Sequence, residues 1–275
     1  MKKLLLPILV LGAMVAVQAE PIYTQSFDYG SSTLDFGDDL SGSGWSDNTG
    51  VIDYVPTAGL TYPGFNSSVG GALVYNFPSA ALRSAAQDIS YDFEADPDGQ
   101  VYWLFALGAV NTALTTGGFT EMNLDGLVGS PDVNSIKFVM TDTGFYGEAF
   151  STGSAVTQVN GGTYTLGETI GFLAKVTKGT GASPENTVVD FWFNPDLANL
   201  GVANGSITDS KFARDGSAAA LDQVKFGGDT GGSYTWDEVR FTTDFNNIHV
   251  IPEPSSLLLT AMGLLVGITV MRRRN

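Results

Sequence analysis

The sequence predicts an all-β sandwich flanked by a short apolar segment at each end, and three observations carry that reading. Short runs rich in Val, Ile, Phe and Tyr recur along residues 20–250. Clusters of Gly, Asn and Asp separate them, as turns do between strands. Helix-forming composition is confined to two short stretches, 80–86 and 217–221. The chain has 275 residues, 43% of them hydrophobic, enough to bury a core. No Pro-, Ser- or Gly-rich linker and no fixed-period repeat interrupts 20–250, so this stretch reads as one domain.

The strands are expected at 89–93, 101–107, 135–140, 155–159, 170–178, 188–193, 223–226 and 234–241. Gly70-Gly71-Ala72-Leu73 leads into a further apolar strand. The turns between them are Asp96-Pro97-Asp98-Gly99, Thr116-Gly117-Gly118, Asn160-Gly161-Gly162 and Gly227-Gly228-Asp229. Asn160-Gly161 is the strongest tight-turn signal of the four. Residues 94–99 read as a hairpin between 91–93 and 101–107.

Composition removes several chemistries. Without cysteine there is no disulfide framework, thiolate metal site or thiol nucleophile. The single histidine, His249, sits near the C-terminal segment and lacks a neighbouring nucleophile, so it reads as linker. Glycine reaches 34 residues, well above the usual ~7%.

The N-terminus, residues 1–19, has the parts of a signal peptide. Lys2 and Lys3 precede an apolar run over 4–17, and Ala19 closes it. At the other end, 251–275 reads Pro252-Glu253-Pro254, an uncharged stretch over 255–271, then Arg272-Arg273-Arg274. Residues 257–271 alone would rise roughly 22 Å as a helix, and Ser255 and Ser256 extend it toward the thickness of a bilayer. The arginines would stay on the cytoplasmic side. The prolines hold the preceding residues extended.

Removing the five basic residues at these ends from 13 leaves eight, against 28 acids in 20–250. That segment carries a net charge of −20. Nucleic acid is a poor partner for such a field, and the charge serves chiefly to keep the domain dispersed.

The C-terminal segment resembles the PEP-CTERM sorting signal, with Pro252-Glu253-Pro254, the 255–271 helix and Arg272, Arg273 and Arg274 in the same order. The resemblance implies export across the inner membrane of a Gram-negative bacterium and transient anchoring there. Processing by an exosortase-type enzyme and release to the cell surface or extracellular matrix would follow.

The pattern of the segment between resembles concanavalin A-like, laminin G-like jelly rolls. Gly44-Trp45-Ser46, the 70–73 run, the 189–196 segment ending in Asn194-Pro195, and Trp236-Asp237-Glu238-Val239-Arg240-Phe241 carry it. The last of these corresponds to a closing strand that returns beside the first. The resemblance implies a jelly-roll β-sandwich.

Candidate sites are few. Glu94, Asp96 and Asp98 alternate before Gly99, like the first half of a calcium loop, though Phe105 stands where its last ligand would be. Pro97 and Gly99 break the strand that an acid pair of a glycosidase would need there. Asp35, Asp38 and Asp39 form a second acidic cluster, a calcium candidate through the laminin G-like resemblance. Trp45 and Trp236 are candidate stacking platforms for a glycan, whereas Trp103 and Trp192 lie in apolar runs and read as core. Calcium is thus the one candidate cofactor, and no catalytic residue is assigned. The expected role is non-enzymatic: a structural or adhesive component, with exopolysaccharide as candidate partner. A carbohydrate-binding module is the alternative, followed by a glycan hydrolase or lyase.

Overall fold

Alternation in β-strands sends neighbouring side chains to opposite faces, so a strand that is apolar at every second position needs a second sheet to cover it. The computed structural model meets that need with two sheets. It describes residues 21–25, 27, 29, 34–35, 45–47, 52–56, 58–65, 71–77, 83–89, 91, 95–125, 134–151, 157–179, 187–209, 223–229 and 231–249. The first sheet holds nine strands: β1 (Tyr23–Gln25), β2 (Leu34–Asp35), β4 (Ile52–Val55), β5 (Ala72–Phe77), β7 (Val101–Thr112), β12 (Ile170–Thr177), β13 (Thr187–Phe193), β14 (Gly205–Asp209) and β16 (Gly232–Thr242). The second holds seven: β3 (Trp45–Asp47), β6 (Arg83–Asp88), β8 (Phe119–Asp125), β9 (Asn134–Thr141), β10 (Phe145–Ser151), β11 (Thr157–Gly162) and β15 (Gln223–Asp229). Every ladder among the described residues is antiparallel.

The first sheet runs β14-β13-β12-β7-β16-β5-β4-β2, and β1 also pairs with β16. β16 pairs with β5 over its first half and with β1 over its second, Phe241 opposite Tyr23. The segment expected to return beside the first strand does so. The second sheet runs β11-β10-β9-β8-β15-β6-β3.

The core between the sheets is strongly aromatic. Tyr102, Phe172, Phe191, Trp236 and Phe241 from the first sheet meet Met122, Phe138, Phe145 and Phe226 from the second. Phe138 stacks on Phe172 at a centroid distance of 5.2 Å, and Phe145 meets the same ring edge-on at 5.8 Å. Each fully buried side chain of this size contributes on the order of 1.5–3 kcal/mol.

The other face of the first sheet is also covered. Phe105, Leu107, Leu173 and Trp192 lie under Phe65, Leu197 and Ile248. Ile248 belongs to α1 (Asn246–His249), a single helical turn held from below. The Arg240 guanidinium donates to the carbonyls of Ile248 (2.7 Å) and Asn247 (3.4 Å) and lies 4.2 Å from the Phe65 ring centre. It also meets the carboxylate of Glu238 at 3.3 Å. The register of β16 against β7 shifts between Asp237 and Arg240, and Glu238 takes φ +52° there, a bulge that places buried Asp237, Glu238 and Arg240 together.

Five local expectations are corrected. Residues 80–86 are helix-like in composition, yet Arg83–Asp88 is strand, because β15 and β3 pair with it and Ala85 faces the core. Tertiary pairing overrides alanine's preference. The expected strand at 89–93 does not form at its described residues, 89 and 91. Residues 95–100 are not a hairpin: β6 and β7 lie in different sheets, and this loop carries the chain between them. Asn160-Gly161 is not a turn but a bulge inside β11. Phe145 pairs with Gly162 and Tyr146 with Asn160, leaving Gly161 extra. Gly227, Gly228 and Asp229 likewise lie within β15. Residues 217–221 and the end segments 1–19 and 251–275 lie outside the described residues. Among the described residues no helix is long and apolar enough to cross a membrane.

Candidate functional site

Polar side chains collect on the outward face of the second sheet, whose centre is covered as well: Asn123, Ser135, Lys137, Val139 and Glu148 are all buried. β8 supplies the simplest case. Met122 and Leu124 face the core, so Glu121 and Asn123 face outward. On β9, Ile136 and Phe138 point in, and Ser135 and Lys137 point out. On β10, Phe145 and Ala149 point in, and Tyr146 and Glu148 point out.

Register then brings these positions into rows across the strands. One row holds Asn160, Tyr146, Val139 and Glu121. The next holds Gln158, Glu148, Lys137, Asn123 and Lys225. A third places Ser135 beside Asp125. Directly opposed residues sit within side-chain reach, and diagonal neighbours are close enough for long side chains.

The side chains use that proximity. Lys137 Nζ lies 3.5 Å from Glu121 Oε2. Gln158 Nε2 donates to Glu148 Oε2 at 3.1 Å. Burial pushes the Tyr146 hydroxyl up to about 12, with the negative charges of Glu148 and Glu121 adding to it and Gln158 opposing. Lys137 and Glu148 are both buried. Asn123 and Ser135 are 0% exposed, and neither the amide nitrogen and oxygen of Asn123 nor the Ser135 hydroxyl has a hydrogen-bond partner among the described residues. A buried polar group left unpaired costs about 1–3 kcal/mol, so three such atoms on one face need an explanation.

The face opens at one end into a depression of about 540 Å³. Tyr146, Gln158 and Asn160 line it from the sheet. Gly117 and Asp142 line it from the loops. Asp142 accepts from the Gly117 amide at 3.0 Å, and the φ of +77° at Gly117 makes that turn. Asn160 accepts from the Gly162 amide at 2.8 Å, which locks the bulge at the mouth.

A second depression of about 580 Å³ lies by Tyr62, Glu168, Asn194 and Asp196. Four of its polar side chains are bonded within the fold. Tyr62 donates to the Pro195 carbonyl (2.9 Å), Asn194 accepts from Gly171 (2.9 Å), and Glu168 and Asp196 accept from the amides of Thr165 and Ala198.

The sequence candidates fall elsewhere. Trp236 is 0% exposed in the core, and its indole donates to Thr120 Oγ1 at 2.9 Å. That removes it as a stacking platform. Trp45 pairs with Gln87 at the β3 edge of the second sheet. Trp192 is buried and Trp103 packs against it, as expected. Asp96 accepts from the Tyr102 hydroxyl at 2.5 Å and from the Tyr91 hydroxyl, while Lys178 donates to its backbone carbonyl. Burial, then the bond to Asp96, drives the Tyr102 hydroxyl above its ordinary range. Both tyrosines share Oδ2 of Asp96, and no group of three acidic or histidine side chains that could hold a metal occurs among the described residues. Asp98 is exposed in the same loop. Asp35 pairs with Asp53 in β2, and Asp38, Asp39 and Glu94 lie outside the described residues. The sorting residues Pro252, Glu253, Pro254, Arg272, Arg273 and Arg274 also lie outside them. His249 closes α1.

No family model matches the chain, and no curated protein matches it. Several solved structures are similar in shape. One is an endo-acting O-glycanase structure from the human gut microbiota, with TM-score 0.48 and 12% identity over 82% of this chain and 99% of that one. Another is a glycosyl hydrolase family protein from Mycobacterium fortuitum, with TM-score 0.47 and 12% identity over 81% and 100%. The binding domain of botulinum neurotoxin DC gives TM-score 0.45 and 10% identity over 82% and 49%. Identities this low leave function to be argued from the residues themselves.

Proposed function

We propose that this is an exported surface or matrix protein whose sandwich binds polysaccharide without turning it over. The open depression at the end of the second sheet carries the reading: Tyr146, Gln158 and Asn160 present an aromatic ring and two amides there, with Asp142 on the loop beside them. Such a site suits a ligand bound through many hydrogen bonds, which makes the protein adhesive in a glycan layer.

The ends support the location. Residues 1–19 act as a signal peptide, and 251–275 act as a PEP-CTERM-like signal. The tail anchors the chain in the inner membrane until an exosortase-type enzyme acts near Pro252-Glu253-Pro254. The ectodomain is a concanavalin A-like, laminin G-like jelly roll within the two-sheet sandwich described above.

A catalytic role is disfavoured by the same geometry. Glycoside hydrolysis needs one carboxyl as proton donor and a second as base or nucleophile. Glu121 already faces the Lys137 ammonium and Glu148 the Gln158 amide, so both are placed as acceptors.

Intact mass of the protein recovered from the cell surface tests the export half. The expected chain lacks both 1–19 and the arginines of the tail. Full-length chains outside the cell would overturn it. Retention on polysaccharide affinity gels tests the binding half, and no retention on any of them would overturn it.

A further inference from the structure

The outward face of the first sheet is covered only in part. Phe105, Leu173 and Trp192 stand in one row across β7, β12 and β13, under Phe65, Leu197 and Ile248. The next row is open. Trp103 on β7 is opposite Lys175 on β12, Lys175 opposite Asp190 on β13, and Asp190 opposite Ser206 on β14. Leu104, Ala174, Val189 and Ile207, next to them in sequence, face the inter-sheet core, so these four face outward. Ser206 is exposed, Trp103 is half-buried, and the side chains of Lys175 and Asp190 are 32% and 23% exposed. Three steps of about 4.8 Å between strands make the row roughly 14 Å long.

The fold does not use up the polar groups of this row. Trp192 gives its indole N–H to the Gly201 carbonyl at 2.9 Å and Trp236 gives its own to Thr120, but no described residue accepts from the indole of Trp103. Lys175 Nζ lies 4.0 Å from Asp190 Oδ2, beyond hydrogen-bond length, and 6.0 Å from the centre of the Trp103 ring. An ammonium on a flexible stem held that loosely is able to turn toward a ligand. Ser206 donates to Asp190. Half-buried Phe245, 4.6 Å from Trp103 between ring centres, borders the aromatic end.

We infer that this row is a second polysaccharide contact, separate from the depression by Tyr146 and on the other sheet, and that it takes a chain of pyranose rings with equatorial hydroxyls, a β-glucan. Such a ring shows C–H bonds on its flat faces, which pack on an indole, and hydroxyls around its rim, which meet the Trp103 N–H, Lys175, Asp190 and Ser206 along the row. An axial hydroxyl would stand in the way of the stacked face. A uronate would meet one cation already matched by Asp190, inside a domain whose net charge is −20. This adds a site to the polysaccharide-binding reading above and rests on it. With a contact on each sheet, one molecule bridges two chains.

The test is affinity electrophoresis of the full chain in mild detergent, in gels containing a β-glucan, a β-mannan or alginate. The β-glucan should retard the parent most. Trp103→Leu should weaken that retardation roughly tenfold, as loss of one aromatic stacking contact does. Ser206→Ala, at an exposed position, should weaken it about threefold. Trp103 also packs on Trp192, so a second readout keeps its side chain. Trp192 and Trp236 are buried, and in Trp45→Phe a blue shift of the tryptophan emission on adding a β-glucan oligosaccharide reports Trp103. That shift should persist when Tyr146→Ala is added.

An emission spectrum that the oligosaccharide does not move, or retardation that Trp103→Leu leaves unchanged, would overturn this site. Retardation lost in Tyr146→Ala alone would overturn it and leave the depression as the binding site. Stronger retardation by β-mannan or alginate than by the β-glucan would overturn the ligand class. No retardation by any of the three would overturn both readings together.

Discussion

The indole N–H of Trp236 in the first sheet donates to Oγ1 of Thr120 in the second, 2.9 Å away, and so bridges the two layers of the sandwich inside an aromatic core. Thr120 itself donates to the Gly227 carbonyl at 3.1 Å, which ties the bridge to β15. Thr120→Val keeps the shape and strands the indole donor. It should cost about 1–3 kcal/mol of stability, read from the urea midpoint, and leave glycan retention unchanged. Weaker retention at full stability would place Trp236 near the ligand instead.

Arg240 is the second buried polar anchor. Its removal leaves Glu238 buried without its cation and frees the carbonyls of α1. Arg240→Ala should therefore cost about 3–5 kcal/mol, against well under 1 kcal/mol for an exposed ion pair. Denaturant titration distinguishes the two directly.

Asp237 makes a pH prediction with a definite sign. Burial, more than any other influence, raises its carboxyl well above the ordinary value; the amides of Leu60 and Glu238 and the Arg240 charge oppose, and the Glu238 charge adds. The folded state therefore holds this proton more tightly than the unfolded chain. Its contribution is complete below the unfolded value of about 4 and is lost as pH rises toward the folded one. Between pH 4 and 7 the melting temperature should fall more steeply in the parent than in Asp237→Asn. Parallel slopes would contradict this.

Gly161 fills a gap that only hydrogen fits. A Cβ there would lie 2.3 Å from the Phe145 ring and 2.9 Å from Phe193. Gly161→Ala should cost about 1–3 kcal/mol through overpacking and loosen the bulge at the mouth of the site. An unchanged urea midpoint would show that the bulge can shift at no cost.

Much of the fold was legible because its central strands are unambiguous. Residues 101–110 are apolar on both faces, and the structure uses both: Leu104 and Ala106 face the inter-sheet core, Phe105 and Leu107 the outer cover. β6 was not legible, since Arg83-Ser84-Ala85-Ala86 carries a helix-like composition and only the pairing with β15 makes it a strand. The glycine pairs at 161–162 and 227–228 read as turns, yet they mark places where strands press against large side chains. Gly161 meets Phe145 and Gly228 the Tyr234 hydroxyl. The site was hidden for a different reason. Glu121, Lys137 and Glu148 are distant in sequence and meet only through the register of β8, β9 and β10. One trace was visible: Glu121-Met122-Asn123-Leu124-Asp125 alternates polar and apolar residues, the mark of a strand with one polar face.

The central claim, that the sandwich holds polysaccharide on this face and leaves it intact, is tested most directly by calorimetric titration followed by product analysis. The full chain in detergent is titrated with each polysaccharide, and the same samples are then assayed for new reducing ends and unsaturated sugars. The account predicts heat of binding with at least one polysaccharide and no new ends after prolonged incubation. New ends whose release disappears in Glu121→Ala or Glu148→Ala would contradict it and make the two carboxylates a catalytic pair.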